Sequence, residues 1–289
     1  MHLRIVWNSV PRAPQLLTVL GALALAASVV ACGGGSTTSG TSSESPAPPA
    51  TPAAGATPAA GAGGKVDAAT AGDVKGMVML DGAAPANAAI KMNADPVCLK
   101  ESKTPEFQET FEVGGDGKSL GNVFVYVKDG LGNFVYDPPT EAAKIDQKVC
   151  RYHPHVLGIR VGQTLEITNN DPTLHNIHAL PKGNTEFNTG QPIQGMKTTH
   201  TFDKPEVMVP FKCDVHGWMN AYIGVLDHPY FAVTGKDGKF DIKTVPPGTY
   251  TIEAWHEKLG TQEQKVTIGA KETKEIAFTF KAAAGATSD

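Results

Sequence analysis

Val209-Pro210-Phe211-Lys212-Cys213-Asp214-Val215-His216-Gly217-Trp218-Met219 is the stretch on which the reading of this chain turns. It runs from a short apolar strand into a tight loop carrying a thiol, an imidazole and a thioether at intervals of three. Outward from it the chain keeps one texture: short runs of alternating apolar residues bounded by Gly, Asn, Asp and Pro, with no sustained helical period from Asp73 onward. Val74 to Leu80, Asn122 to Val127, Leu165 to Thr168, Tyr222 to Val225 and Tyr250 to Trp255 are such runs. Asp81-Gly82, Asp129-Gly130, Lys236-Asp237-Gly238-Lys239 and Pro246-Pro247-Gly248 are the turn signals between them. The fold class expected is all-β.

Cys213, His216 and Met219 form Cys-x-x-His-x-x-Met at a strand exit. A thiolate with imidazoles in a trigonal array, and a weak thioether contact, makes a geometry that both oxidation states of copper tolerate. The remaining imidazole must come from a second strand end. Val161 to Asn176 supplies a strand, the polar turn Asn169-Asn170-Asp171-Pro172, and then His175-Asn176. His178 lies three residues beyond His175, so on an extended strand the two point to opposite faces, and His175, which follows the turn, is the candidate. A structural zinc site would want Cys or His in place of Met, and a catalytic one an open position. A Cu(I)-trafficking role for the same donors stays open.

This segment resembles the cupredoxins, the type 1 blue-copper family of plastocyanin and amicyanin, and its loop has the short amicyanin-type spacing. The resemblance covers about 85 residues. It implies a Greek-key β-sandwich over 137–228 holding one type 1 copper, with Cys213, His175, His216 and Met219 as ligands. It further implies that His216 is the imidazole nearest solvent, through which electrons leave, and that Asn176 braces the cysteine loop. The function implied is single-electron transfer between redox partners, with no substrate transformed. A c-type cytochrome or a membrane-bound oxidoreductase would be the partner.

The run Phe231 to Thr234, Asp237 to Ile242 and Val245 to Ile252 resembles the carboxypeptidase regulatory-like, or prealbumin-type, β-sandwich. Such a sandwich needs further strands upstream, and Lys75 to Leu80 and Val123 to Val127 offer them. The expected organisation is therefore a discontinuous second, smaller sandwich of residues 73–136 with 229–281, interrupted by the copper domain. Two domains in tandem is the simpler alternative. A sandwich of this kind acting as a binding module for carbohydrate or protein, with copper stored or trafficked, is the competing reading of function.

At the N-terminus Arg4 and Arg12 precede an apolar stretch, Leu16 to Ala31, ending in Val29-Val30-Ala31-Cys32. The stretch falls short of the roughly 20 residues a membrane span needs. It resembles the signal peptide and lipobox of bacterial lipoproteins, which implies removal of residues 1–31 and acylation of Cys32. Gly33, in place of a retention aspartate, favours anchoring in the outer membrane, facing the periplasm. An ordinary cleavable signal is the alternative. Residues 32–72, rich in Gly, Ser, Thr, Ala and Pro, read as a flexible tether of reach about 35 Å, and 282–289 as a flexible tail.

The chain has 289 residues and a formal net charge of −4, with no polybasic patch, which argues against a nucleic-acid partner. Of its 4 cysteines, Cys32 and Cys213 are assigned above, leaving Cys98 and Cys150 to pair in an oxidising compartment. His153 and His155, two apart, offer a possible second metal site, and a copper enzyme would need one built there or from His178. His200, His228 and His256 have no companion pattern. No Cys-x-x-Cys-His, Gly-x-Ser-x-Gly, phosphate-loop or His-Glu-x-x-His motif is present.

Overall fold

The computed structural model describes residues 63–282. Cys32, the apolar stretch before it, the tether up to residue 62 and residues 283–289 lie outside the described residues. In chain order, β1 (Gly72–Asp81) is followed by a short helix, α1 (Pro96–Glu101), and by β2 (Phe124–Asp129). The middle of the chain forms β3 (Ala143–Lys148), β4 (Arg151–His153), β5 (Val156–Arg160), β6 (Leu165–Asn169), β7 (His175–Ala179), β8 (Phe187–Gln191), β9 (Lys197–His200), β10 (Glu206–Lys212) and β11 (Asn220–Leu226). The last strands are β12 (Phe231–Val233), β13 (Lys239–Val245), β14 (Gly248–His256), β15 (Gly260–Ile268) and β16 (Thr273–Lys281). The fold is all-β.

Strands from both ends of the described chain share two sheets, β13-β1-β16 and β12-β2-β14-β15. β1 runs antiparallel to β13 and parallel to β16. Alternation explains the core between these sheets. Val74, Val78 and Leu80 of β1 point inward with Val125 and Val127 of β2 and Tyr250, Ile252 and Ala254 of β14. Each large apolar side chain so buried contributes about 1.5–3 kcal/mol. The sharp turn before β13 needs Gly238, which has φ +69° and whose added Cβ would meet the Val78 carbonyl oxygen at 2.5 Å.

The middle strands form a second sandwich, with sheets β5-β11-β10-β7-β8 and β4-β3-β6-β9. β3 pairs in parallel with β6, and β5 with β11. Ile145, Tyr152, Ile159, Leu165, Ile167, Phe202, Phe211 and Ile223 fill its interior. The two sandwiches meet through aromatic rings seated on glycines. Gly158 and Gly224 are paired across β5 and β11, and the rings of Phe124 and Phe231 occupy the space their side chains would take. A third apolar cluster, Phe124, Tyr126, Val156, Met208 and Leu226, continues this contact.

Two segments differ from the sequence reading. Part of the stretch assigned to the tether packs on the fold: Val66 lies against the first core and Lys65 pairs with Asp137 at 2.9 Å, before β1 opens at Gly72. The connection between β1 and β2 also leaves the first sandwich. Ile90, Met92 and Cys98 pack into the core of the second sandwich. Asp95 is the N-cap of α1, accepting from the backbone N–H of Val97, and Pro96 follows it.

Candidate metal centre

The site forms where three strand ends of the second sandwich converge. β10 pairs antiparallel with β7, with Lys212 opposite His178, so Cys213 emerges beside the start of β7 where His175 stands. β11 then returns antiparallel to β10, with Asn220 opposite Lys212, which forces residues 213–219 into a tight loop. The loop is closed by Met219 N–H donating to the His216 carbonyl at 2.9 Å and Cys213 N–H donating to the Met219 carbonyl at 3.2 Å. Asn176 locks it to β7: its Oδ1 accepts the Asp214 N–H at 2.7 Å and lies 3.2 Å from Cys213 Sγ.

The donor atoms of His175, Cys213 and His216 all lie within 4.8 Å of one another. Nδ1 of His175 is 2.9 Å from Nδ1 of His216, which is 3.9 Å from Cys213 Sγ. His175, Cys213, His216 and Met219 are 0%, 2%, 2% and 1% exposed. Each imidazole turns its other nitrogen to a carboxylate: His175 Nε2 to Asp171 Oδ2 at 2.9 Å, and His216 Nε2 to Asp95 Oδ2 at 2.9 Å. Both Nε2 atoms must then carry the proton, leaving two acceptor lone pairs face to face at Nδ1. Lone pairs so placed are stabilised only by a cation between them, a proton or a metal ion.

The electrostatics match that requirement. Burial alone pushes the Cys213 thiol up, but hydrogen bonds from His175, His216 and the backbone of Asn176 and His216 outweigh it and bring it down to about 6. Burial disfavours the charged form of His175, yet Asp171 and Cys213 raise it above the ordinary histidine value. His216 is raised in the same way by Cys213 and Asp95 against its own burial. Asp171 is held below the usual carboxylate range despite burial, by His175 and by the N–H groups of Cys150 and Val149.

The donor atoms of His175, Cys213 and His216 thus lie together, with Asn176 beside them, and Met219 is buried at the end of the same loop. Cys98 and Cys150 are joined in a disulfide, with Sγ atoms 1.99 Å apart. His216 does not face solvent, as the resemblance had implied. Asp95, Cys98 and Trp218 cover it, with Cys98 Sγ 3.5 Å from His216 Nε2 and the Trp218 ring centred 5.1 Å from the imidazole. The histidines considered for a second metal are held separately. His153 Nε2 faces the Lys148 carbonyl, His155 Nε2 meets Glu257 at 2.6 Å, and His178 bridges Asp214 and Glu186. None of the three belongs to a group of converging metal donors among the described residues.

Asp95 and Asp171 went unassigned in the sequence. Asp171 sits four residues before His175, in a turn where Asp-Pro is ordinary, and its Oδ1 and Oδ2 also accept from Val149 N–H and Cys150 N–H at 2.8 and 2.7 Å. The position of a carboxylate one short turn before a candidate ligand was the available signal. Asp95 left none.

A thiol poised to ionise, two inward Nδ1 lone pairs and a buried methionine on the same loop are a donor set that fits copper. Among solved structures the chain is similar to a purple cupredoxin from Nitrosopumilus maritimus, at 26% identity over 29% of this chain and 98% of that one, with a TM-score of 0.25. It is also similar to a Cu-containing nitrite reductase from Thermus scotoductus SA-01, at 25% identity and TM-score 0.28, covering 31% of this chain but only 23% of the reductase. An amicyanin mutant in its Cu(I) form is 22% identical over 32% of this chain and 85% of its own, with a TM-score of 0.27. No curated protein sequence matches the chain. Residues 219–281, from the last residue of the 213–219 loop to the end of β16, match the model of the carboxypeptidase regulatory-like domain.

Proposed function

We propose that this chain is a lipid-anchored type 1 copper protein that carries single electrons between redox partners in the cell envelope. The observation that supports it is the pair of buried Nδ1 atoms 2.9 Å apart, with a low-pKa thiol beside them, all within 4.8 Å. Bound copper supplies a one-electron couple. Cys213, His175 and His216 would hold it, and Met219 would add a weak thioether donor. Asn176 holds the loop in place through Asp214 N–H, so the donors keep one arrangement in both oxidation states. Burial of all four ligands excludes water and an added substrate, which favours a carrier over an enzyme.

In this reading the acylated Cys32 is the anchor, and the partners are membrane-bound, such as a c-type cytochrome or an oxidoreductase. The deciding experiment is a copper titration followed by absorption. One equivalent should give an intense visible thiolate-to-copper band that a mild reductant bleaches reversibly. Cys213→Ser should abolish the band, and a wild type that stays colourless would end the proposal. Retention of a Cys32→Ser variant in the membrane fraction would count against the anchor.

A further inference from the structure

His216 is buried by a segment that belongs to neither sheet of its own sandwich. Asp95, 121 residues away in sequence, caps α1 with Oδ1, accepting from Val97 N–H at 2.7 Å and Cys98 N–H at 3.4 Å. Its Oδ2 accepts from His216 Nε2 at 2.9 Å and Thr173 Oγ1 at 3.1 Å. Four donors therefore fix one carboxylate, which is itself 18% exposed. The disulfide carries the arrangement across to the other imidazole. Cys98 joins Cys150, whose N–H donates to the Asp171 oxygen that also accepts from His175 Nε2. Trp218 closes the side, its Nε1–H donating to the Cys150 carbonyl at 2.9 Å.

We infer that Asp95 is a positioning residue of the metal centre, and that Met92 to Ser102 is a built-in cap which sets a carboxylate where His216 would otherwise meet water. The inference rests on the copper reading above. A carboxylate on Nε2 fixes the tautomer, keeps the Nδ1 lone pair aimed at the metal and makes the imidazole a stronger donor. Its negative charge, one ring away in a site with little water, favours Cu(II) over Cu(I) and so lowers the reduction potential. A partner then exchanges electrons across the cap, with Asp95, Trp218 or the disulfide between it and the imidazole.

The test uses Asp95→Asn and Asp95→Ser in the full chain. Both residues keep an N-cap acceptor for α1 while removing the charge. Cu(II) affinity should fall about 10–100-fold in both, the usual cost of losing such a partner. A tenfold loss confined to Cu(II) raises the potential by about 59 mV. Thr173→Val, which removes a hydrogen bond to the same oxygen without altering the charge, should move the potential far less. Wild-type affinity and potential in both Asp95 variants, with the disulfide intact, would overturn the inference. Co(II) affinity of the apo-proteins separates the two claims. If the wild type never takes on the copper colour, the function proposal fails, while a tenfold weaker Co(II) site in Asp95→Asn still upholds Asp95 and an equal one overturns it.

Discussion

Replacing both Cys98 and Cys150 by Ala tests how firmly the cap is fastened. The bridge spans 52 residues and closes a loop that runs from within α1 through β2 and β3. In the chain-entropy model, a loop of that length makes the disulfide worth about 4 kcal/mol at 25 °C. Both cysteines are fully buried in the core of the second sandwich, so reduction alone, which keeps the sulfur atoms, should cost nearly the whole amount. Urea unfolding of the double variant and of reduced wild type should therefore agree to within about 1 kcal/mol, each about 4 kcal/mol below the oxidised protein. Opening of the cap should become easier by up to the same amount. Metal extraction by a chelator would then speed up by as much as about 10³-fold, at 1.4 kcal/mol per decade. A loss under about 1 kcal/mol with unchanged extraction would mean that Ile90, Met92 and the Asp95 contacts hold the cap unaided, and the reasoning would fail.

Acid should unfold the protein early, because burial lowers His228 and His256 to about 4, against Asp227 near the first and Glu257 near the second. A histidine held neutral by the fold costs nothing above its unfolded value near 6.5 and destabilises as pH falls from there to about 4. The difference in unfolding free energy between wild type and His256→Asn should therefore change by about 2 kcal/mol between pH 7 and 4.5, and a flat difference would refute the assignment. His175 and His216 shift upward and act above that window, and the lowered carboxylates act below it. Gly224→Ala should cost about 1–3 kcal/mol in thermal or urea unfolding, since its Cβ would sit 2.6 Å from the Phe124 ring and 2.7 Å from Met208 Cε. A neutral result would mean that the two sandwiches yield at that contact.

What the sequence discloses here is whatever has a short period. The strands of the first sandwich were legible because Val74, Val78 and Leu80, or Tyr250, Ile252 and Ala254, alternate over a few residues. The donor-bearing loop was legible because Cys213, His216 and Met219 sit on one turn, and His175 because a strand and a polar turn precede it. The cap was not. Between β1 and β2 the chain has no alternation, and the meaning of Asp95 lies in His216, far along the chain. The burial of His216 went unread for the same reason: nothing in Gly217-Trp218 states that Cys98, Cys150 and Asp95 close over it. The role of the paired glycines at 158 and 224 emerges only once the rings of Phe124 and Phe231 are placed against them.

The proposed metal centre is thereby a joint product of both sandwiches. The connection that carries Asp95 is anchored at its two ends by β1 and β2, strands of the first sandwich, while its middle lies on the second. β2 begins at Phe124, whose ring rests on Gly224 of β11, and β11 begins one residue after Met219. The carboxypeptidase regulatory-like match starts at 219 itself, so it includes a strand that pairs with β10 and β5 of the second sandwich. Residues 137–228 taken alone contain all four proposed ligands but not Asp95, and they leave Cys150 without its partner. An inserted module would be expected to keep its chemistry self-contained. Here the inserted sandwich supplies the donors, and the host sandwich supplies the carboxylate and half of the disulfide that decide how one of those donors meets the outside.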